Sequence, residues 1–114
     1  MSLRRLRPRT GYWLDAGDNL PWLEKSIAAG AVTRPEKALG YRVKTFEIIS
    51  SVAGTVIVMF DLVGDGDFRD FVSKSVPANT PTIFSVTETC AYVRLRFDTA
   101  TTITAKFNFD IPYI

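Results

Sequence analysis

The sequence contains no histidine and a single cysteine, Cys90. The first absence removes the commonest general base and the commonest transition-metal ligand, and with them most hydrolase triads. The second excludes an intramolecular disulfide and a cysteine–histidine metal site, which suits a reducing compartment or a fold that holds without bridges. Long apolar runs are missing too. The longest, Val56 to Phe60, falls far short of the ~20 residues that a membrane-spanning helix needs. The opening MSLRRLRPRT is charged with no apolar stretch behind it, so it does not read as a secretory signal. The expectation is a protein without cofactor or bound metal, neither membrane-spanning nor secreted by the usual route.

What is present is a β pattern. From Ala91 to Asp98, Ala91, Val93, Leu95 and Phe97 share one face, and Tyr92, Arg94, Arg96 and Asp98 share the other. From Thr102 to Ile111, Ile103, Ala105, Phe107, Phe109 and Ile111 alternate with Thr102, Thr104, Lys106, Asn108 and Asp110. Side chains on a strand point alternately to opposite faces, so both runs predict half-buried strands. The link Thr99-Ala100-Thr101 is short enough to predict a tight antiparallel hairpin. Further strands are expected at Arg42 to Ser50, at Thr55 to Val63 (the most apolar, hence central), at Phe68 to Val72, and at Thr82 to Thr87, whose flanking prolines suit an edge. Six or so short strands at intervals of about ten residues predict an all-β fold, a single antiparallel β-sandwich or jelly roll.

The first forty residues read differently. Residues 1–11 hold four arginines and, past Met1, only two apolar side chains, Leu3 and Leu6, too little to offset the entropy of ordering them. They predict an arginine-rich arm. Asp18 or Asn19, then Pro21 and Glu24, is the signature of a helix start, and Trp22 to Ala29 predicts two turns closed by Gly30. A second turn at Pro35 to Leu39 is a weaker signal. The division is therefore 1–40, arm and short helical or extended segment, and 41–114, sandwich. Charge follows it: residues 1–44 hold nine basic and four acidic residues, net +5, and the remainder five and eight, net −3.

Three features carry candidate chemistry. The arginines of the arm, Arg4, Arg5, Arg7 and Arg9, make fork-shaped contacts with carboxylates or phosphates. With Tyr12, Trp13 and Trp22 close behind, a protein neighbour is favoured over nucleic acid as the partner. The run Asp61 to Asp70, with Gly64 and Gly66 between carboxylates, has the oxygen-rich character calcium uses, but no glutamate closes a twelve-residue calcium loop. A plain turn is the expectation. The aromatics Tyr12, Trp13, Trp22 and Tyr41 are either a platform for sugar rings or a hydrophobic plug, and core or interface is favoured. Cys90 without a histidine reads as a small buried residue. No frame for acid–base or nucleophilic chemistry emerges, so the chain is expected not to be an enzyme.

Arg4 to Arg9, then Tyr12-Trp13, then strands from Tyr41 to Ile111 form a layout that resembles small phage and viral virion proteins of the capsid decoration, cementing or tail-accessory type. The resemblance implies a structural subunit of a symmetric assembly, located in the virion or otherwise cytoplasmic. Its arm would contact neighbouring subunits or capsid and tail proteins. The alternative is a carbohydrate- or ligand-binding β-sandwich module.

Overall fold

The computed structural model describes residues 7–110. Among the described residues ten strands form: β1 (Arg9–Tyr12), β2 (Lys25–Ile27), β3 (Ala31–Val32), β4 (Glu36–Lys37), β5 (Val43–Ser50), β6 (Gly54–Asp61), β7 (Arg69–Val76), β8 (Thr82–Val86), β9 (Tyr92–Phe97) and β10 (Thr101–Asp110). They form two antiparallel sheets. One runs β1-β10-β5-β8 with β2 also on β10; the other runs β3-β9-β6-β7 with β4 also on β9. The fold is all-β and β-sandwich-like, and its inner faces meet in one core. Phe46, Ile48, Ile103, Ala105 and Phe109 come from the first sheet, and Val56, Val58, Val93, Leu95 and Phe97 from the second.

The alternation expected in the last third is present: on β9 and β10 the apolar set is buried and the polar set is half-buried or exposed. The hairpin is not. β9 belongs to one sheet and β10 to the other, so Asp98 to Ala100 is a corner that carries the chain across the core. Alternation fixes which face of a strand is dry, but either of two facing sheets supplies a dry face. The β5–β6 link is a second such corner, and the two touch: Ser50 Oγ and Thr101 Oγ1 lie 2.7 Å apart, and Ser51 N–H donates to the Thr102 carbonyl at 3.0 Å. Gly54 permits this contact, since a Cβ there would come within 2.7 Å of Thr99 Oγ1 and 2.9 Å of Phe97 Cζ. β6 is interior as expected but stops at Asp61, leaving Leu62 and Val63 exposed, and β8 is the edge strand its prolines predicted.

The expected helix over Trp22 to Ala29 is absent; none of the described residues is helical. Lys25 to Ile27 pair instead with Ile103 to Thr101, and Glu24 takes a positive φ of 48° that no α-helix tolerates. Glu36 and Lys37, in the weaker helical turn, pair with Val93 and Tyr92. Local propensity is worth tenths of a kcal/mol per residue, and an open edge on β10 or β9 outweighs it by satisfying backbone groups and burying side chains together. The edges beside β10 and β9 are each filled by a strand in two pieces, β1 with β2 and β3 with β4. Between β1 and β2 the chain loops out after Trp13 and returns at Trp22. Ala105 bonds both sides of the neck, accepting from Trp13 N–H (3.0 Å) and donating to the Trp22 carbonyl (2.8 Å). Residues 9–37 therefore complete both sheets.

Candidate functional site

At one end of the molecule the β4–β5, β6–β7 and β8–β9 connections meet the start of β1. Backbone bonds tie them: Ala91 N–H donates to the Asp61 carbonyl (3.0 Å), and Ala38 N–H donates to the Ala91 carbonyl (2.8 Å). The Tyr41 hydroxyl donates to the Arg7 carbonyl (2.8 Å). Lys44 lies beneath, wholly buried because it shares the inward face of β5 with Phe46 and Ile48. Its Nζ donates to the carbonyls of Tyr41 (3.0 Å) and Glu88 (2.8 Å). Burial pushes the ammonium pKa down, against the attraction of Cys90 and Glu88. Burial likewise pushes the neighbouring Cys90 thiol up, to about 11.

The β6–β7 loop is built on Asp61. Its Oδ1 accepts from the N–H groups of Gly64 (2.9 Å) and Asp65 (3.2 Å), and its Oδ2 from Gly66 (2.9 Å). Gly64 and Gly66 supply the positive φ values, 85° and 86°, that this winding needs. Burial raises the Asp61 carboxyl pKa, but the three amides together outweigh it and hold the group below its ordinary 3.8. Asp67 faces Arg69 rather than the loop interior. Asp61 and Asp67 thus act as a turn cap and an ion-pair partner. Among the described residues, no three His, Cys, Asp or Glu side chains converge as a metal set.

Replacing Asp61 by asparagine puts an amide N–H where an acceptor is needed. The loop should loosen, the melting temperature at pH 7 should fall by several degrees, and proteolysis within residues 62–68 should quicken. A carboxylate with a lowered pKa stabilises the fold above its unfolded pKa, and that contribution fades as pH falls through the folded value. The gap between wild type and Asp61→Asn should therefore close in acid below pH 3.8. Equal melting at pH 7 would show that the cap is dispensable.

Beside this loop lies a cleft of about 710 Å³. Its floor is apolar, with Phe60 and Phe71 stacked at 4.3 Å and 7°. A bulge makes that stack: Val58 pairs with Val72 but Met59 with Asp70, so Phe71 is the extra residue and is turned toward Phe60. Leu62 and Val63, 68% and 73% exposed, form one wall. The rim is charged, with Asp65, Asp67 and Asp70 on one side and Glu88 across from them on the β8–β9 connection. Arg69 holds Asp67, and Arg96 holds Asp70 through two bonds of 3.1 and 3.0 Å. The Asp65 carboxylate accepts from Asp67 N–H and attracts Arg69, and the Glu88 carboxylate accepts from Thr87 N–H and attracts Lys44.

The residues singled out in the sequence are dispersed. Arg4 and Arg5 lie outside the described residues. Arg9 is a clasp between the sheets, paired with Glu36 and donating to the Lys37 carbonyl at 3.0 Å. Tyr12 is exposed, with Lys106 Nζ 5.7 Å from its ring centre. Trp13 and Trp22 are completely buried and Tyr41 nearly so; these three belong to the core and offer no face to a sugar or a partner. The cleft escaped sequence reasoning because it joins Phe71 to Glu88, two places with no local link. The exposed Leu62-Val63 pair just before Gly64 was its one visible sign, hidden by extending β6 through it.

No family model matches the chain, and no curated protein matches it in sequence. No helix among the described residues is long and apolar enough to cross a membrane. The class is therefore defined by the fold itself: an all-β protein of two facing antiparallel sheets with an apolar, acid-rimmed cleft at one end.

Proposed function

We propose that the chain is a non-enzymatic structural subunit of a symmetric assembly. A phage or virus particle, with the chain as capsid decoration, cementing or tail-accessory protein, is the setting we favour. The part of the arm that precedes β1, with Arg4 and Arg5, contacts neighbouring protein subunits rather than nucleic acid. The observation that carries this reading is the strand order. Counting each split edge as one strand leaves eight, ordered 1-8-3-6 in one sheet and 2-7-4-5 in the other. We infer a jelly roll from that order, an architecture that capsid and lectin domains share. The choice between those two rests on the aromatics: a sugar platform needs exposed rings, and only Tyr12 of the four candidates is exposed. Against enzymatic chemistry, the thiol of Cys90 is pushed away from the thiolate form rather than toward it.

Light scattering on the full chain across protein concentration and salt tests the reading. We expect a mass that is a fixed multiple of the monomer, falling as salt rises if arginines make the contacts. A monomer under every condition, together with retention on a glycan array, would replace this reading with a carbohydrate-binding module.

A further inference from the structure

We infer that Lys74 keeps the β7 edge closed to a further strand, and so stops two copies of the chain from merging their second sheets at that flank. The inference stands apart from the assembly reading above.

A sheet edge presents unpaired backbone N–H and C=O groups, and a long, flat edge is a template for another strand. The edges of this molecule differ in how much of one they offer. Beside β10 the edge is divided between β1 and β2, and beside β9 between β3 and β4. None of these pieces exceeds four residues. β8 has five residues and begins directly after Pro81. β7 has eight and no proline, and among the described residues it pairs with β6 alone. The bulge at Phe71 distorts its first half. The second half, Val72 to Val76, runs in unbroken register against Val58 to Gly54.

Lys74 lies in that regular half, on the face where a core residue belongs. It pairs with Val56, and residues directly opposite on antiparallel strands share a face. Val56 is wholly buried, and Val72 and Val76, two positions to either side of Lys74, pack into the core. Lys74 is therefore an inward-facing lysine. It stays exposed because β7 is the last strand of its sheet, which leaves the flank open. Its Nζ lies 5.8 Å from the centre of the Phe84 ring on β8, across the gap between the sheets. That ring faces inward as well, edge-on to Phe46 at 5.2 Å. Among the described residues no carboxylate pairs with this ammonium. Its charge is met by the ring face and by solvent at the flank.

A strand added to β7 would shut that flank. The ammonium would then stand in a closing apolar seam with no carboxylate, and taking an unpaired charge out of water outweighs the net return of a few backbone bonds. A second copy meets the obstacle twice. When two β7 strands pair about a twofold axis perpendicular to the sheet, inward faces stay inward, so both ammoniums enter the same seam. Once the charge is removed the same surface favours pairing, because Val72, Val76 and Phe84 around it are apolar and packed on the core.

Three single substitutions in the full-length chain test this, read by light scattering across protein concentration and by amide hydrogen exchange. Lys74→Val should add a species of twice the wild-type mass, in which exchange at residues 72–76 slows about tenfold or more. Lys74→Arg keeps the charge and should keep the wild-type mass. Lys74→Gln removes the charge without adding apolar surface. It should double at a higher concentration than Lys74→Val, and it decides the matter if Lys74→Val does not stay folded. Wild-type mass in both uncharged variants at every concentration would overturn the inference. Doubling in Lys74→Arg would remove the charge as the cause, and doubling in Lys74→Val alone would assign it to added apolar surface. Doubling with unchanged exchange at residues 72–76 would place the contact elsewhere and overturn β7 as the guarded edge.

Discussion

Trp13→Ala should cost the folded protein ~3–5 kcal/mol, enough to unfold a large share of a domain whose whole stability is of order 5–15 kcal/mol. Trp13 is 0% exposed, and its ring centre lies 5.7, 5.0 and 6.0 Å from those of Phe46, Phe107 and Phe109. It bridges β10 and β5 from the edge, so removing it opens a cavity between elements that neither can close alone. Tyr12→Ala, one residue away on the exposed face, should cost far less. The phenylalanine variants sharpen the argument. Among the described residues Trp13 Nε1 is buried with no hydrogen-bond partner, whereas Trp22 Nε1 donates to Asp15 Oδ1 at 3.1 Å. Trp13→Phe deletes an unsatisfied donor and Trp22→Phe a satisfied one, so the second should be worse by about 1 kcal/mol. Urea titrations followed by far-ultraviolet dichroism measure all four. Wild-type stability in Trp13→Ala would remove the aromatic cluster as the basis of this core.

The second large effect should appear in alkali. In the unfolded chain the Cys90 thiol ionises near 9.0, but in the folded protein burial delays this to about 11, against the pull of Lys44. A raised pKa stabilises the fold below the unfolded value and withdraws that stability as pH climbs through the window, here on the order of 2–3 kcal/mol between pH 9 and 11. Lys44 works in the opposite sense. Its pKa is lowered, so the buried ammonium penalises the fold at neutral pH and the penalty lifts as pH rises toward 10.5. The thiol should dominate the upper part of the window. Wild-type unfolding midpoints should therefore drop in the upper part of that window, while Cys90→Ala, slightly less stable at pH 7, should stay flat or rise. Parallel pH curves for the two proteins would exonerate the thiol.

Much of the fold could be read in the sequence because alternation is a local signal. Phe46 with Ile48, Val93 with Leu95 and Phe107 with Phe109 each announce a dry face within a few residues, and all six are buried. The strands made of Lys25 to Ile27 and Glu36-Lys37 could not be read this way. They are two or three residues long, carry helix-favouring side chains, and exist because β10 and β9 offer them an edge. The sheet change at Asp98 to Ala100 was hidden for a related reason: a corner and a hairpin turn have the same length. Lys44 was legible in principle, since its position places it beside Phe46 and Ile48, but a lysine in an alternating strand is ordinarily assigned to solvent. The turn at Asp61 to Asp70 could be read. Its pairing with Glu88 to make a cleft is a product of tertiary structure alone.

The split edge of the first sheet has a consequence for how the chain reaches this structure. Arg9 is the partner of Phe109, and Thr101 of Ile27, so the earliest strands wait for the latest one. On a ribosome, β1 and β2 emerge with no β10 to receive them, and β5 has only β8 for company until residues 101–110 appear. Closing so long a loop must precede most of the reward in burial, which places this topology among slow folders. Until then the arm-bearing segment and the Trp13–Trp22 neck remain unpaired. The intact molecule forms only once synthesis of β10 is complete, and any association through residues near Arg9 is timed to follow it.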